Sequence, residues 1–276
     1  MIPFNFDYFK PDSTEEAIKT YTSEWKLGKK VVYFTGGTEV ITFSRGGKMT
    51  ADAVIDLKGI PDCTVLEMVG EKLIIGAAIT LNQLIESDVF PLLSETARRI
   101  ADHTSRNKIT IGGNLMSKLN YKECILPLLV AEAVVVIVGP KGMEELPAEK
   151  LASGILEEGT FLTQIKVPVS NLNLPYTSLK RTRTTKVGYP IVSLAALIKE
   201  DRIRVAFSGL DEYPFRSAVV EATLNDRTLS DEQRISKAIA KLPTSISDDF
   251  LASKGFRKFT LGILLTEMNT VLEGQP

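Results

Sequence analysis

Thr35-Gly36-Gly37-Thr38-Glu39 and Thr110-Ile111-Gly112-Gly113-Asn114 are the two stretches that decide how this chain is read. Each sets adjacent glycines among small hydroxyl residues. Glycine has no Cβ, so successive backbone N–H groups can turn inward and a ligand can approach the chain closely. One such turn is weak evidence. Two in one chain suggest loops closing on a single extended anionic ligand, with a diphosphate the obvious candidate.

Composition frames the rest. A length of 276 residues allows about two domains, each able to bury its own core. The 44% hydrophobic and 24% charged content is that of an ordinary soluble protein. A formal net charge of -1 argues against capture of nucleic acid or anionic lipid. The longest apolar run, Leu126 to Val138, is broken by Pro127 and Glu132 and does not read as a membrane span. Met1-Ile2-Pro3-Phe4-Asn5-Phe6-Asp7 lacks a basic region followed by an apolar one, so a cytoplasmic location is expected. Cys63 and Cys124 are too far apart for a metal-ligand pair, and two thiols cannot supply the four an iron–sulfur cluster needs. His103 lies in a polar stretch between Asp102 and Thr104 and reads as solvated. No metal ligand and no catalytic side chain is expected, so redox chemistry must come from an organic cofactor.

Local patterns give the organisation. Ser13-Thr14-Glu15-Glu16 is a capping box opening a helix to about Lys26, with Ala17, Ile18, Tyr21 and Trp25 as its apolar stripe. Val31–Phe34 and Ala53–Leu57 read as strands, so residues 1–57 form a βαβ-like subdomain. Thr64–Val69 and Lys72–Ala77 read as strands about a turn at Gly70-Glu71. Thr80 to Gln83 caps a helix, Leu92–Ile100 and Leu126–Ala133 are helical, and Val134–Val138 and Phe161–Val167 are strands of a subdomain spanning 58–168. The turn-rich Pro168–Pro175 is the expected boundary, which sets a first domain at 1–168 and a second at 169–276. Beyond it, Tyr176–Arg181 and Arg202–Gly209 are strands, and Ile191–Ile198 fits helix or strand. Ser230 caps a helix, and Phe250–Leu272 is a final amphipathic helix.

Three readings of the glycine turns compete. They are plain strand–helix or hairpin turns, a Rossmann fold, or a flavin scaffold. The Rossmann reading needs G-x-G-x-x-G, and neither turn has that spacing. The flanking residues favour the third. The order Phe4 to Tyr8, Pro11, the capped helix, Thr35 to Glu39, then Ile109 to Asn114 resembles the FAD-binding medium subunit of the molybdenum hydroxylases. Leu179-Lys180-Arg181, Pro190-Ile191-Val192-Ser193, Val205 to Leu210 and Tyr213 to Ala218 extend the likeness over nearly the whole chain. Within the family, the FAD subunit of bacterial xanthine dehydrogenase looks nearest.

The resemblance implies an α+β fold: a two-subdomain FAD-binding domain of the PCMH/vanillyl-alcohol-oxidase-like type, then a C-terminal α+β domain with an antiparallel sheet. It implies FAD, an iron–sulfur subunit and a molybdenum-cofactor subunit as partners, and NAD+ or another electron acceptor. In the family the first loop, here Tyr33, Phe34, Thr35, Gly36, Gly37, Thr38, Glu39 and Val40, holds the diphosphate through backbone N–H groups. The second, here Thr110, Gly112, Gly113 and Asn114, approaches from the other side. A valine at Gly37 or Gly113 is expected to enter the diphosphate space. Glu123 stands where the family has an aspartate that binds cofactor hydroxyls. Leu162 and Lys180 match contacts near the flavin ring, and Ile100 a residue packing near the adenine or the ring. Thr184 to Pro190 departs from the usual Arg-x-x-Asp-Ile-Ala, which leaves the acceptor open. Two alternatives follow: an assembly subunit that has lost flavin, or a free-standing flavin reductase.

Overall fold

The computed structural model describes residues 2–185, 188–243 and 245–275. Its first unit comprises β1 (Asp7–Phe9), α1 (Thr14–Lys26), β2 (Val31–Phe34), α2 (Thr38–Arg45) and β3 (Ala53–Asp56). The strands form a parallel sheet in the order β1-β3-β2. The Ser13 side chain accepts the Glu16 N–H at 3.2 Å and starts α1, whose Ala17 and Tyr21 then pack with Ile55, Leu57 and Phe161. Trp25, expected in that apolar stripe, is instead half exposed and donates its indole N–H to Glu158. Helix α2 carries no polar N-cap side chain in sequence, because Gly37 occupies the cap in a left-handed conformation (φ 71°).

The second unit runs α3 (Pro61–Thr64), β4 (Leu66–Val69), β5 (Lys72–Gly76), α4 (Leu81–Ser87), α5 (Pro91–Arg98), α6 (His103–Arg106), α7 (Ile111–Leu115), α8 (Ile125–Val130), β6 (Val134–Gly139), β7 (Gly142–Pro147) and β8 (Phe161–Pro168). Its five strands are antiparallel in the order β4-β5-β8-β6-β7. The Thr80–Gln83 capping box is formed in full. Strand β7 eluded pattern reading because it lies at the sheet edge and five of its six residues are exposed.

The third unit has β9 (Tyr176–Thr182), β10 (Pro190–Lys199), β11 (Arg202–Ser208), β12 (Phe215–Arg216), α9 (Ala218–Leu224), α10 (Asp231–Ala240) and α11 (Lys254–Glu273). Its antiparallel sheet runs β12-β11-β10-β9. The segment that fitted helix or strand is β10. Ala195 and Leu197 join the core around α8, whereas Val192, Leu194 and Ala196 face the core under α11. A strand buried on both faces has no polar alternation to reveal its period. Helix α11 starts at Ser253, whose side chain caps it, so Phe250 falls outside and is exposed. The sheets and helices match the α+β architecture implied by the resemblance. Among the described residues no helix is long and apolar enough to cross a membrane.

Candidate functional site

Strand β2 delivers the chain into the first glycine turn, and the 105–110 segment brings the second against it. Thr35 Oγ1 and Thr110 Oγ1 meet at 2.8 Å. The second turn is anchored from behind by the Ile111 N–H to Ile79 O and the Gly112 N–H to Ala77 O, both at 2.9 Å. A Cβ on Gly36 would overlap the Lys108 carbonyl oxygen, and one on Gly112 would lie 2.6 Å from Ala77 O. These two glycines exist so that backbones can touch. Gly37 serves the left-handed cap, and a side chain there would strike the Phe34 ring, so the expectation that it would enter ligand space is corrected. Gly113 is exposed, with only the Thr110 and Thr35 hydroxyls near an added Cβ, at 3.0 and 3.7 Å.

Between the turns opens a cleft of about 700 Å³. That size suits a bound small molecule or cofactor. Every residue singled out from sequence lines it: Tyr33 to Val40, Ile100, Thr110, Gly112, Gly113, Asn114, Glu123, Leu162 and Lys180. Tyr189 of the divergent loop lines it too, and sequence reading missed Phe43, Ser105, Tyr121, Lys122 and Phe161, which also do. Phe43 sits on the unforeseen α2, and the others reach the cleft only through tertiary packing.

The two jaws differ in what they can donate. In the first, the N–H groups of residues 36–40 meet no acceptor among the described residues, and the first bond of α2 is Ile41 N–H to Gly37 O at 2.8 Å. These residues line the cleft, so five donors and the positive end of a helix dipole are available to a ligand there. In the second, every N–H from Ile111 to Asn114 is already bonded within the protein, that of Gly113 to Thr110 Oγ1 at 3.0 Å. Backbone donation was expected of the first loop, and only the first loop has N–H groups left to provide it. The second offers side chains, since Asn114 Oδ1 accepts the Cys124 N–H at 3.1 Å and its NH2 group is left to donate.

Glu123 and Lys180 lie in the cleft wall. Lys180 Nζ contacts Glu123 Oε2 at 2.8 Å and donates to Arg99 O at 3.0 Å, while Ser193 donates to Glu123 Oε1 at 2.8 Å. Both side chains are buried. Burial pushes the Glu123 carboxyl up, against the opposing pull of Lys180 and Ser193. Expected as an acceptor for cofactor hydroxyls, Glu123 has both oxygens engaged inside the protein. Leu162 is buried on β8, and Ile100 both packs against the core and lines the cleft. Tyr33 is fixed by its hydroxyl bond to Gly159 O at 2.9 Å and by ring contacts to Tyr21 and Phe161 at 5.1 and 4.5 Å. Tyr121 and Tyr189 stack at 4.9 Å. Lys186 and Val187, part of the divergent loop, lie outside the described residues.

Lys122 is buried, with its ammonium donating to Ala152 O at 3.1 Å. Burial pushes it down to about 8, with the Glu39 carboxylate opposing. A lysine depressed in the fold binds fewer protons there than in the unfolded chain once pH exceeds its folded value. The flavin-free chain should therefore gain stability from this group as pH rises from about 8 toward the unfolded value of 10.5. Urea midpoints at pH 7 and 9 should show this gain as a difference between wild type and Lys122→Met. Equal pH responses in both would contradict it. No group of three or more metal-ligating side chains occurs among the described residues.

Residues 4–170 match the family described as the FAD binding domain in molybdopterin dehydrogenase. The carbon monoxide dehydrogenase medium chain of Afipia carboxidovorans is 30% identical over 72% of this chain and 70% of its own length. The xanthine dehydrogenase FAD-binding subunit of Escherichia coli O157:H7 is 23% identical over 80% of this chain and 82% of its own. In fold, the chain superposes on a subunit of the reconstituted CO dehydrogenase from Oligotropha carboxidovorans with a TM-score of 0.88, at 23% identity and 100% coverage of both chains.

Proposed function

The chain belongs to the family of FAD binding domains in molybdopterin dehydrogenases, and we propose that it accepts electrons from an iron–sulfur subunit and passes them through FAD to NAD+ or another acceptor. The carrying observation is the single cleft that both glycine turns enclose, with five free N–H donors in one wall. Those donors, the Asn114 amide and the apolar wall of Leu162, Phe161 and Ile100 fit a dinucleotide with a flat ring system. FAD, when bound, supplies the electron chemistry. The first loop would hold the diphosphate, and Gly36 and Gly112 keep the two loops close enough to do so. Leu162 and Phe161 would cover the ring and exclude water. The buried Glu123–Lys180 pair fixes β9 against the cleft wall. Burial pushes the Cys63 thiol up to about 12, which leaves it unreactive.

The finer identity of the complex rests on similarity. The xanthine dehydrogenase kinship expected from sequence has the weaker support, at 23% identity against 30% for the carbon monoxide dehydrogenase medium chain. A molybdenum-cofactor subunit as second partner and a cytoplasmic location complete the proposal. The test is the visible spectrum of the purified chain, followed by identification of the chains that co-purify with it. Flavin absorbance that is released as free FAD on denaturation is expected. A colourless protein that resists reconstitution with FAD would sink the reading in favour of an assembly subunit, the alternative that Glu123's engagement by Lys180 and Ser193 favours.

A further inference from the structure

Four charged residues line the cleft among the described residues: Glu39, Lys122, Glu123 and Lys180. Glu123 and Lys180 cancel each other at 2.8 Å. Glu39 Oε1 accepts the Lys118 N–H at 3.0 Å, which draws the 117–122 segment over the N-terminal end of α2. Lys122 remains. It is 3% exposed, no carboxylate forms an ion pair with it, and its ammonium holds only Ala152 O and the face of Tyr213, whose centroid is 5.7 Å away. An ammonium has three donors, so this arrangement leaves it under-used. Burying a cation without a carboxylate partner costs stability, and here the backbone is strained as well, with Lys122 at φ 31°. Gly154 packs against it: a Cβ there would meet the Lys122 ammonium and lie 3.1 Å from Ser117 O. One strained backbone position therefore keeps a cation beside the cleft with no ion-pair partner among the described residues.

We propose that Lys122 is the cation reserved for the diphosphate of the bound cofactor, completing the site that the free N–H groups of residues 36–40 begin. This rests on the FAD reading above and deepens it: dipoles alone would face a dianion with Glu39 at the same end of the cleft, and Lys122 offsets that carboxylate. The residue binds and takes no part in electron transfer.

Titration calorimetry of the flavin-free full chain with FAD, ADP and riboflavin tests the proposal on Lys122→Met, which keeps the apolar stem and removes the charge. Loss of one charge-assisted contact should weaken FAD and ADP alike by about ten- to a hundredfold. Riboflavin, which has no phosphate, should bind both proteins equally. The flavin-free variant should melt at or above the wild-type temperature, since a structural lysine would instead lower it. Unchanged FAD affinity, or an equal loss for riboflavin, would overturn the assignment while leaving the FAD reading intact. A wild-type chain that binds no FAD would overturn both.

Discussion

Gly36→Ala is expected to release the flavin and destabilise the chain, although it adds a single methyl group. That methyl has no room, because it would overlap the Lys108 carbonyl oxygen, which is backbone and cannot rotate away. Relief requires the two glycine turns to separate, breaking the 2.8 Å contact between Thr35 and Thr110. Overpacking of this kind costs about 1–3 kcal/mol. The cleft would widen where the diphosphate is to be held, so bound FAD should be lost on gel filtration. Gly46→Ala is the matched control at the other end of α2. Its φ of -83° is ordinary and its nearest neighbour would be Thr42 O at 3.5 Å. That variant should retain flavin and shift the urea midpoint little. If Gly36→Ala behaves like the control, the contact between the turns is not what shapes the site.

The second large effect is expected from Lys180→Met. Removing the lysine leaves Glu123 buried with Ser193 as its one remaining partner. Breaking a buried pair from one side costs about 3–5 kcal/mol at neutral pH. The sign of the pH response follows from the carboxyl itself. Its folded value is already raised by burial and rises further without Lys180, so the ionised form is what the fold resists. The deficit should therefore shrink as pH falls below 7 and the carboxyl takes up a proton. Glu123→Gln in the same background should recover most of the loss at pH 7. A deficit that stays constant with pH would show that Lys180 acts through packing alone.

Much of the site was legible because its signals are local. Adjacent glycines between small hydroxyl residues mark Gly36-Gly37 and Gly112-Gly113, and capping boxes mark Thr80 and Ser230. Other parts had no local signal. The free donors of residues 36–40 depend on α2, whose cap is a backbone conformation and not a side chain. In the second turn the Ile111 and Gly112 N–H groups are taken up by the Ile79 and Ala77 carbonyls of a different segment, whereas those of Gly113 and Asn114 bond to Thr110 within the turn.

The sequence by itself determined the α+β class, the two turns, half of the cleft lining and the family. Glycine pairs, caps and apolar periods are short-range consequences of residue type, so they survive without coordinates. Only the tertiary structure decided how charge is distributed. Glu123 meets Lys180 across 57 positions of chain, which turns an expected cofactor contact into an internal ion pair. Lys122 has no such partner among the described residues. Pairing of buried charges is set by distance in space and by what water is excluded, and neither is written in the order of residues.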